Sequence, residues 1–367
     1  MAVELVTRSE RLAALEQEWD AAFAAARDPS PFNSHTYVVT AWRHFGKAGK
    51  SLFIVVVRRD GAIAGIAPWY LGDDWVDGER GRTIRSIGLL EGDNPDIIAV
   101  AEPASVWAEI LDFLCAHRGV WEILRLSELP SHSAALQYDF PGLGRYHRRI
   151  RSGHECYSVA LNGSWDSYLR ERPGRVRRAY LRRLRRLEGQ LGPPSYPCFR
   201  TPETIGAGLE RFIAVEQVSW KRGAGLGVSR SPAIRAFFAD LLPALAGKGA
   251  AEVSLLCAGG EDIAGEIVYL TGDTIYSKEI AYDPRFAAFS PGTLLLAHQI
   301  ETGIARGYRT LDMMGMTGVS GRQQKQDWAT ARQTIVQWTV CNRGPLVLGR
   351  AQRLLARLFG RGVDPQP

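Results

Sequence analysis

Apolar residues recur along this chain with two spacings, one of about 3.6 and one of 2, and their order predicts a recurring series of helices and strands. Residues 10–26 and 35–46 carry the helical spacing, with Pro29 and Pro31 between them. The apolar runs 52–58 and 62–71 flank Asp60-Gly61, a dipeptide suited to a two-residue hairpin turn, and predict paired strands. Residues 82–100 predict two short strands around Gly92-Asp93-Asn94-Pro95, followed by a helix over 106–118 and a strand over 121–126. Residues 130–162 read as the crossing into a second half. That half predicts helices over 170–188, 203–221 and 231–247, then strands over 252–258, 263–271 and 274–282. A helix over 293–306, a strand over 309–314 and a basic helix over 345–361 complete the pattern.

The second half repeats the first in outline. LFIVVVRRDGAIAGIAPWYLGD at 52–73 returns 200 positions later as EVSLLCAGGEDIAGEIVYLTGD, and both copies hold a strand, a turn, Ile-Ala-Gly, a second strand and Gly-Asp. At the same offset Glu16-Gln17 answers Glu216-Gln217. After each hairpin come a helix and a strand. A period this long is not that of a solenoid and predicts two related α/β domains in tandem, at 1–150 and 151–345, with 346–367 as a basic tail. The chain's 367 residues suffice for two cores.

Charge changes the picture at one place. The net charge is +6, yet residues 170–188 alone hold nine arginines and two glutamates, so the rest of the chain is close to neutral. Leu181, Leu184 and Leu187 mark one buried stripe on this helix, beneath an arginine-covered surface. Two readings stay open for that surface: a solvated face, or a contact for phosphates, which suit the planar guanidinium fork. The start MAVELVTRSERL lacks a signal-peptide pattern and no apolar run approaches 18 residues, so no transmembrane segment and a cytoplasmic location are expected. Five scattered cysteines, with no C-x-x-C pair, fit reduced thiols.

Candidate chemistry concentrates in 276–328. Ser290-Pro291-Gly292-Thr293 opens a helix that Ser290 or Thr293 can cap, and its first N–H groups favour an anion. Glu266 lies in a strand where the matching first-copy residue is Ile66, so a carboxylate has replaced an aliphatic; buried there, it would serve as a general base. Glu216, beside Trp220 and Lys221, is a second candidate, although Glu16 at the matching place favours a packing role. Asp283, before a proline, suits a turn as well as a catalytic role. Lys325 and Trp328 follow a glycine-rich turn and suit either anchoring or closure over an acceptor. No H-E-x-x-H, no paired ligands at metal spacing, no G-x-S-x-G and no P-loop occur, so neither a metal nor a serine nucleophile is expected.

The whole stretch 5–335 resembles the GNAT-superfamily acetyltransferases of the BioF2-like (CelD/BcsL) type, relatives of the Fem-type transferases with tandem GNAT-like domains. The matching residues are Pro31-Phe32, Trp42, Phe45-Gly46 and Gly65-Ile66-Ala67-Pro68 in the first half. In the second they are Arg185-Arg186-Leu187-Glu188, Trp220, Gly265, Tyr282-Asp283-Pro284, Ser290-Pro291-Gly292, Ile300-Glu301, Gly307, Asp312, Lys325 and Trp328. The resemblance implies two mixed, mostly antiparallel sheets flanked by helices. It also implies that the strands 274–282 and 309–314 splay apart around the pantetheine arm of acetyl-CoA or another acyl-CoA, with the pyrophosphate on loop 286–293. Ile280, Ala281, Tyr282, Phe289, Ser290, Gly292 and Thr293 would then line the donor. Ala287, Ser290 and Gly292 depart from the family's usual phosphate-loop pattern, and Gln324 stands where the family has a tyrosine.

Under this resemblance the acceptor is an amine or hydroxyl of a sugar, polysaccharide precursor or small metabolite, with His35, Tyr37, Asp96, Trp220 and Lys278 as candidate contacts. An aminoacyl-tRNA-dependent Fem-type transferase, with tRNA on the arginine helix, and an inactive tandem binding module remain as alternatives. Self-association as a homodimer stays open.

Overall fold

The computed structural model describes residues 2–47, 49–88, 96–142, 145–315 and 321–342. The expected turn at 92–95 and the basic helix at 345–361 lie outside them. The chain opens with β1 (Ala2–Val6), α1 (Ser9–Ala14), α2 (Glu16–Ala25) and α3 (His35–Phe45). The first hairpin pairs β2 (Lys50–Arg59) with β3 (Ala62–Val76), and β4 (Glu79–Ser86), β5 (Ile98–Ala99), α4 (Pro103–Ala116) and β6 (Ile123–Pro130) follow. A long strand, β7 (His147–Ala160), leads to α5 (Trp165–Glu171) and to α6 (Gly174–Leu191), which carries seven of the nine arginines of the 170–188 run. Then come β8 (Cys198–Phe199), α7 (Pro202–Val218), α8 (Trp220–Ala224) and α9 (Pro232–Gly247). The second set of strands is β9 (Ala251–Ala258), β10 (Glu261–Thr271) and β11 (Thr274–Tyr282). The remaining elements are α10 (Pro291–Ala305), β12 (Thr310–Asp312), α11 (Arg322–Trp328) and β13 (Ala331–Cys341).

Two compact units result among the described residues, and neither is one continuous stretch: the first holds 2–28, 45–153 and 335–342, the second 29–44 and 154–334. In the first, the strand order is β1-β2-β3-β4-β6-β13 with β5 against β3. In the second it is β7-β12-β11-β10-β9-β8. Each is thus a mixed α/β sheet, antiparallel except for one step. That step is β4 to β6 in the first unit, bridged by α4, and β11 to β12 in the second, bridged by α10. The strand that closes the first parallel pair, β13 on β6, comes from the far side of the sequence cut near 150, whereas the residues of β7 that pair with β12, 158–160, lie on the same side of that cut as β12. The region 130–162, expected as a crossing, holds the long strand β7 over 147–160. Its sequence HRRIRSGHECYSVA is polar and mostly unburied, so ladder pairing rather than an apolar pattern makes it one.

The repeat is real in topology, but its register differs from the sequence match. Each hairpin turns on two left-handed residues, Asp60-Gly61 in one and Gly259-Gly260 in the other, which sets the structural offset at 199. Each then slips by one residue, at Ala64 and at Ile263. The two Ile-Ala-Gly tripeptides therefore face opposite ways: Gly65 faces Val106 of α4, whereas Gly265 faces Phe212 of α7. The first-unit counterpart of Glu266 is Ala67, packed in the α4 core, and not Ile66. Nor do Glu16 and Glu216 correspond, since the former is an exposed first residue of α2 and the latter is buried near the end of α7. A Cβ on Gly65 would lie 2.1 Å from Val106 Cγ1, closer than packing allows. Gly65→Ala is accordingly expected to lower unfolding free energy in denaturant titration by about 1–3 kcal/mol.

Candidate active site

Strands β11 and β12 run side by side only from Thr274–Tyr276 against Thr310–Asp312. Beyond that point β11 continues to Tyr282, whereas β12 ends and the chain turns away through Met314, a non-glycine residue at φ 56°. Pairing between the two strands, expected to splay apart, therefore stops at Tyr276 and Asp312. Ile280, Ala281 and Tyr282 lie on the diverging part of β11, and Ile280 Cδ1 reaches the first turn of α10 at Gly292.

Past Tyr282 the chain makes a tight 3-10 turn over Pro284–Phe289 and enters α10 through Ser290, also left-handed at φ 54°. Ser290 occupies the cap position without giving a side-chain cap bond, and Thr293 is buried, so neither hydroxyl caps the helix. Asp283 is spent on the turn: it accepts from Arg285 N at 2.9 Å and Arg285 Nε at 2.8 Å. Burial pushes its carboxyl up, but the hydrogen bonds and charge of Arg285 outweigh this and hold it below the ordinary value.

Glu266 sits on β10, on the face that packs against α10, and is 1% exposed. Ser277 of β11 donates its hydroxyl to Oε1. Gln299 of α10 brings its buried amide towards the same carboxyl. Oε2 of Glu266 and Nε2 of Gln299 nonetheless lack a hydrogen-bond partner among the described residues. Burial pushes the carboxyl up to about 7, against the lowering effect of Ser277, Gln299 and the Lys325 ammonium. A carboxylate in that range takes a proton at neutral pH and gives it up again.

Lys325, on α11, gathers the carbonyls of the turn that ends β12: Met313, Met314 at 3.0 Å and Gly315 at 3.3 Å. Burial draws its pKa down to about 8, with Cys156, Asp312 and Glu266 opposing. Asp312 accepts from Met314 N at 2.7 Å, and burial raises its carboxyl. Trp328 is buried and stacks on Trp165 at 6.3 Å, while Tyr168 and Arg172 donate to its carbonyl. It anchors α11 within the second unit.

Glu216 has a structural task. Its carboxylate accepts from Val228 N at 3.0 Å and Ser229 N at 2.8 Å, closing the loop after α8. Gly227 has φ 90°, and a Cβ there would fall 2.1 Å from Oε1. Glu216→Leu orphans two N–H groups and is expected to cost about 2–5 kcal/mol in denaturant unfolding, with turnover per folded molecule unchanged.

The candidate acceptor residues do not form one group. On the face of β10 and β11 away from Glu266, Tyr37 meets Phe32 and Phe237 edge-on, Phe32 meets Tyr269 and Tyr276, and the Lys278 ammonium lies 5.3 Å over Phe32. His35 is buried on the same helix as Tyr37. Lys278 is the extra residue of a bulge, and next to it Glu279 pairs with Lys221 of α8. Burial pushes Glu279 up, but Lys221 and Lys278 outweigh it and hold the carboxyl below its ordinary value. Trp220 is 44% exposed, and Asp96 belongs to the first unit, where it accepts from Trp107 Nε1 at 3.0 Å. Sequence reasoning missed Ser277 and Gln299. Only the hairpin register and the face of α10 bring them to Glu266.

Residues 174–324, which fall within the second unit, match the family model of the acetyltransferase (GNAT) domain. No curated protein matches the chain. Among solved structures, FemX is similar with a TM-score of 0.63 at 14% identity, over 98% of this chain and 100% of that one. A conserved protein of unknown function from Bacteroides thetaiotaomicron gives 0.55 at 11% identity, over 92% and 100%. The C-terminal domain of a candidate lysylphosphatidylglycerol synthetase from Agrobacterium fabrum gives 0.54 at 12%, over 94% and 97%. These likenesses are of fold. No helix among the described residues is long and apolar enough to cross a membrane.

Proposed function

We propose that this GNAT-fold acyltransferase moves an acetyl or longer acyl group from acyl-CoA to an amine or hydroxyl of a sugar, polysaccharide precursor or other small metabolite. The observation that carries the reading is Glu266: a carboxylate buried next to the divergence of β11 and β12, with its proton affinity raised to about 7. The residues suit an acyl-CoA whose thioester arm lies along 277–282, with its diphosphate at the mouth of α10.

Glu266 removes the proton from the attacking nitrogen or oxygen as that atom bonds to the thioester carbonyl. The carbonyl electrons move to oxygen, return as the carbon–sulfur bond breaks, and the thiolate leaves to be protonated. Ser277 and Gln299 orient the carboxyl. Lys325, engaged with three carbonyls, holds the exit of β12 in place rather than moving the proton.

The test is a thermal-shift and calorimetric titration with acetyl-CoA, followed by a thiol-release screen over amino sugars and amino acids. A saturable rise in melting temperature and acceptor-dependent thiol release support the reading. No binding of acetyl-CoA rejects it in favour of an aminoacyl-tRNA donor or a binding module, and tRNA affinity falling steeply with salt would select the former.

A further inference from the structure

The arginine helix α6 lies across the mouth of α10. At its start Arg175 is bound to both oxygens of Asp327 on α11, at 2.6 and 3.1 Å, and one and a half turns on Tyr180 meets Trp328 edge-on. Further along, the Arg186 guanidinium lies 5.4 Å over the ring of Phe289, the residue before Ser290. At its end the carbonyl of Leu191 accepts from Gly259 N in the β9–β10 turn. The helix therefore passes from α11 over the 284–289 turn, and Leu187 seats it in the same core as Phe289 and Leu294.

Two arginines near its start are consumed internally, Arg172 by the carbonyls of Trp328 and Ala329 and Arg175 by Asp327. Arg177, Arg178, Arg182, Arg183, Arg185 and Arg186 have no carboxylate at ion-pair distance among the described residues. Arg186 lies next to Phe289, and Arg182 and Arg183, four and three residues earlier, are its neighbours along the helix surface. They add to the positive end of α10 rather than cancelling it. A solvated helix face has no need to gather uncompensated guanidinium groups around one loop, and guanidinium forks suit phosphate.

We propose that Arg182, Arg183 and Arg186 recognise the phosphorylated ribose of the donor and make the enzyme selective for CoA over carriers that lack the 3′-phosphate. This rests on the acyl-CoA reading above. The chemistry fits: the nucleotide end of CoA carries a diphosphate and a separate ribose phosphate, more charge than one helix terminus accommodates.

The test is calorimetric titration of the full chain with CoA and with dephospho-CoA, which differ only in the 3′-phosphate. Wild type and the Arg182→Gln/Arg183→Gln/Arg186→Gln triple variant are compared, with Arg170→Gln on α5 as a charge control. Wild type is expected to bind CoA at least about tenfold more tightly than dephospho-CoA. The triple variant should erase that gap, and Arg170→Gln should leave it intact. Equal affinity of wild type for the two ligands overturns the inference while leaving the acyl-CoA reading standing, and needs no variant to fold. A gap that survives the triple variant also overturns it, as does a triple variant that keeps the gap but loses tRNA binding, which would give the face to nucleic acid. Failure of wild type to bind either ligand removes both the inference and the reading beneath it.

Discussion

Glu266→Gln is expected to lower kcat about 10²–10⁴-fold, with the dissociation constant for acetyl-CoA changed little, because the amide keeps the shape of the carboxyl but takes no proton. In the wild type, kcat/KM should fall with acid below about pH 7, where the carboxyl protonates. The same substitution should stabilise the protein at alkaline pH. The folded-state value of about 7 lies above the ordinary 4.5, so the folded protein holds a proton that the unfolded chain releases. Stability contributed by the neutral acid is complete below 4.5 and is lost as pH rises through 7, a loss of about 3 kcal/mol that the glutamine variant escapes. Denaturant titrations of both proteins at pH 5 and pH 8 measure it. A variant with full turnover, or with wild-type loss of stability between those pH values, assigns the base to another group.

Lys325→Met is expected to reduce turnover about 10²-fold, by releasing the carbonyls of Met313, Met314 and Gly315 and so displacing the end of β12. Its signature is a shift in pH dependence as well as a loss. The Lys325 charge lowers the Glu266 carboxyl, so removing it should move the acid limb of kcat/KM upward. The lysine's own pKa, drawn from 10.5 to about 8, gives wild type a rise in stability between those two values that the variant lacks. A variant whose acid limb stays in place would separate Lys325 from the base.

Much of this architecture was legible in the spacing of apolar residues, because each hairpin, crossover helix and following strand buries its own apolar face. Asp60-Gly61 marked a turn on its own, as only left-handed residues fit it. The hidden parts depend on distant partners. β13 is a strand because β6 lies beside it, the end of β7 is fixed by its pairing to β12, and the register slips at Ala64 and Ile263 leave no mark in composition. The exchange of Pro29–His44 into the second unit is invisible for the same reason.

The site was half legible. Glu266 stood out as a charge in an apolar strand, yet its proper comparison is Ala67, since the tripeptide match is one residue out of step with the hairpins. Ser277 reaches it across the β10–β11 ladder and Gln299 from α10, contacts that only folding creates. Asp283 and Glu216 were candidates by residue type. Arg285 holds one, and two backbone amides hold the other.

Hydrogen exchange of the full chain with and without acetyl-CoA tests the central claim most directly. The account predicts slowed exchange at the amides of 277–282 and in the first turn of α10, on the two sides of the parting between β11 and β12. Binding that leaves those amides exchanging at their free rate, with protection elsewhere, would contradict it.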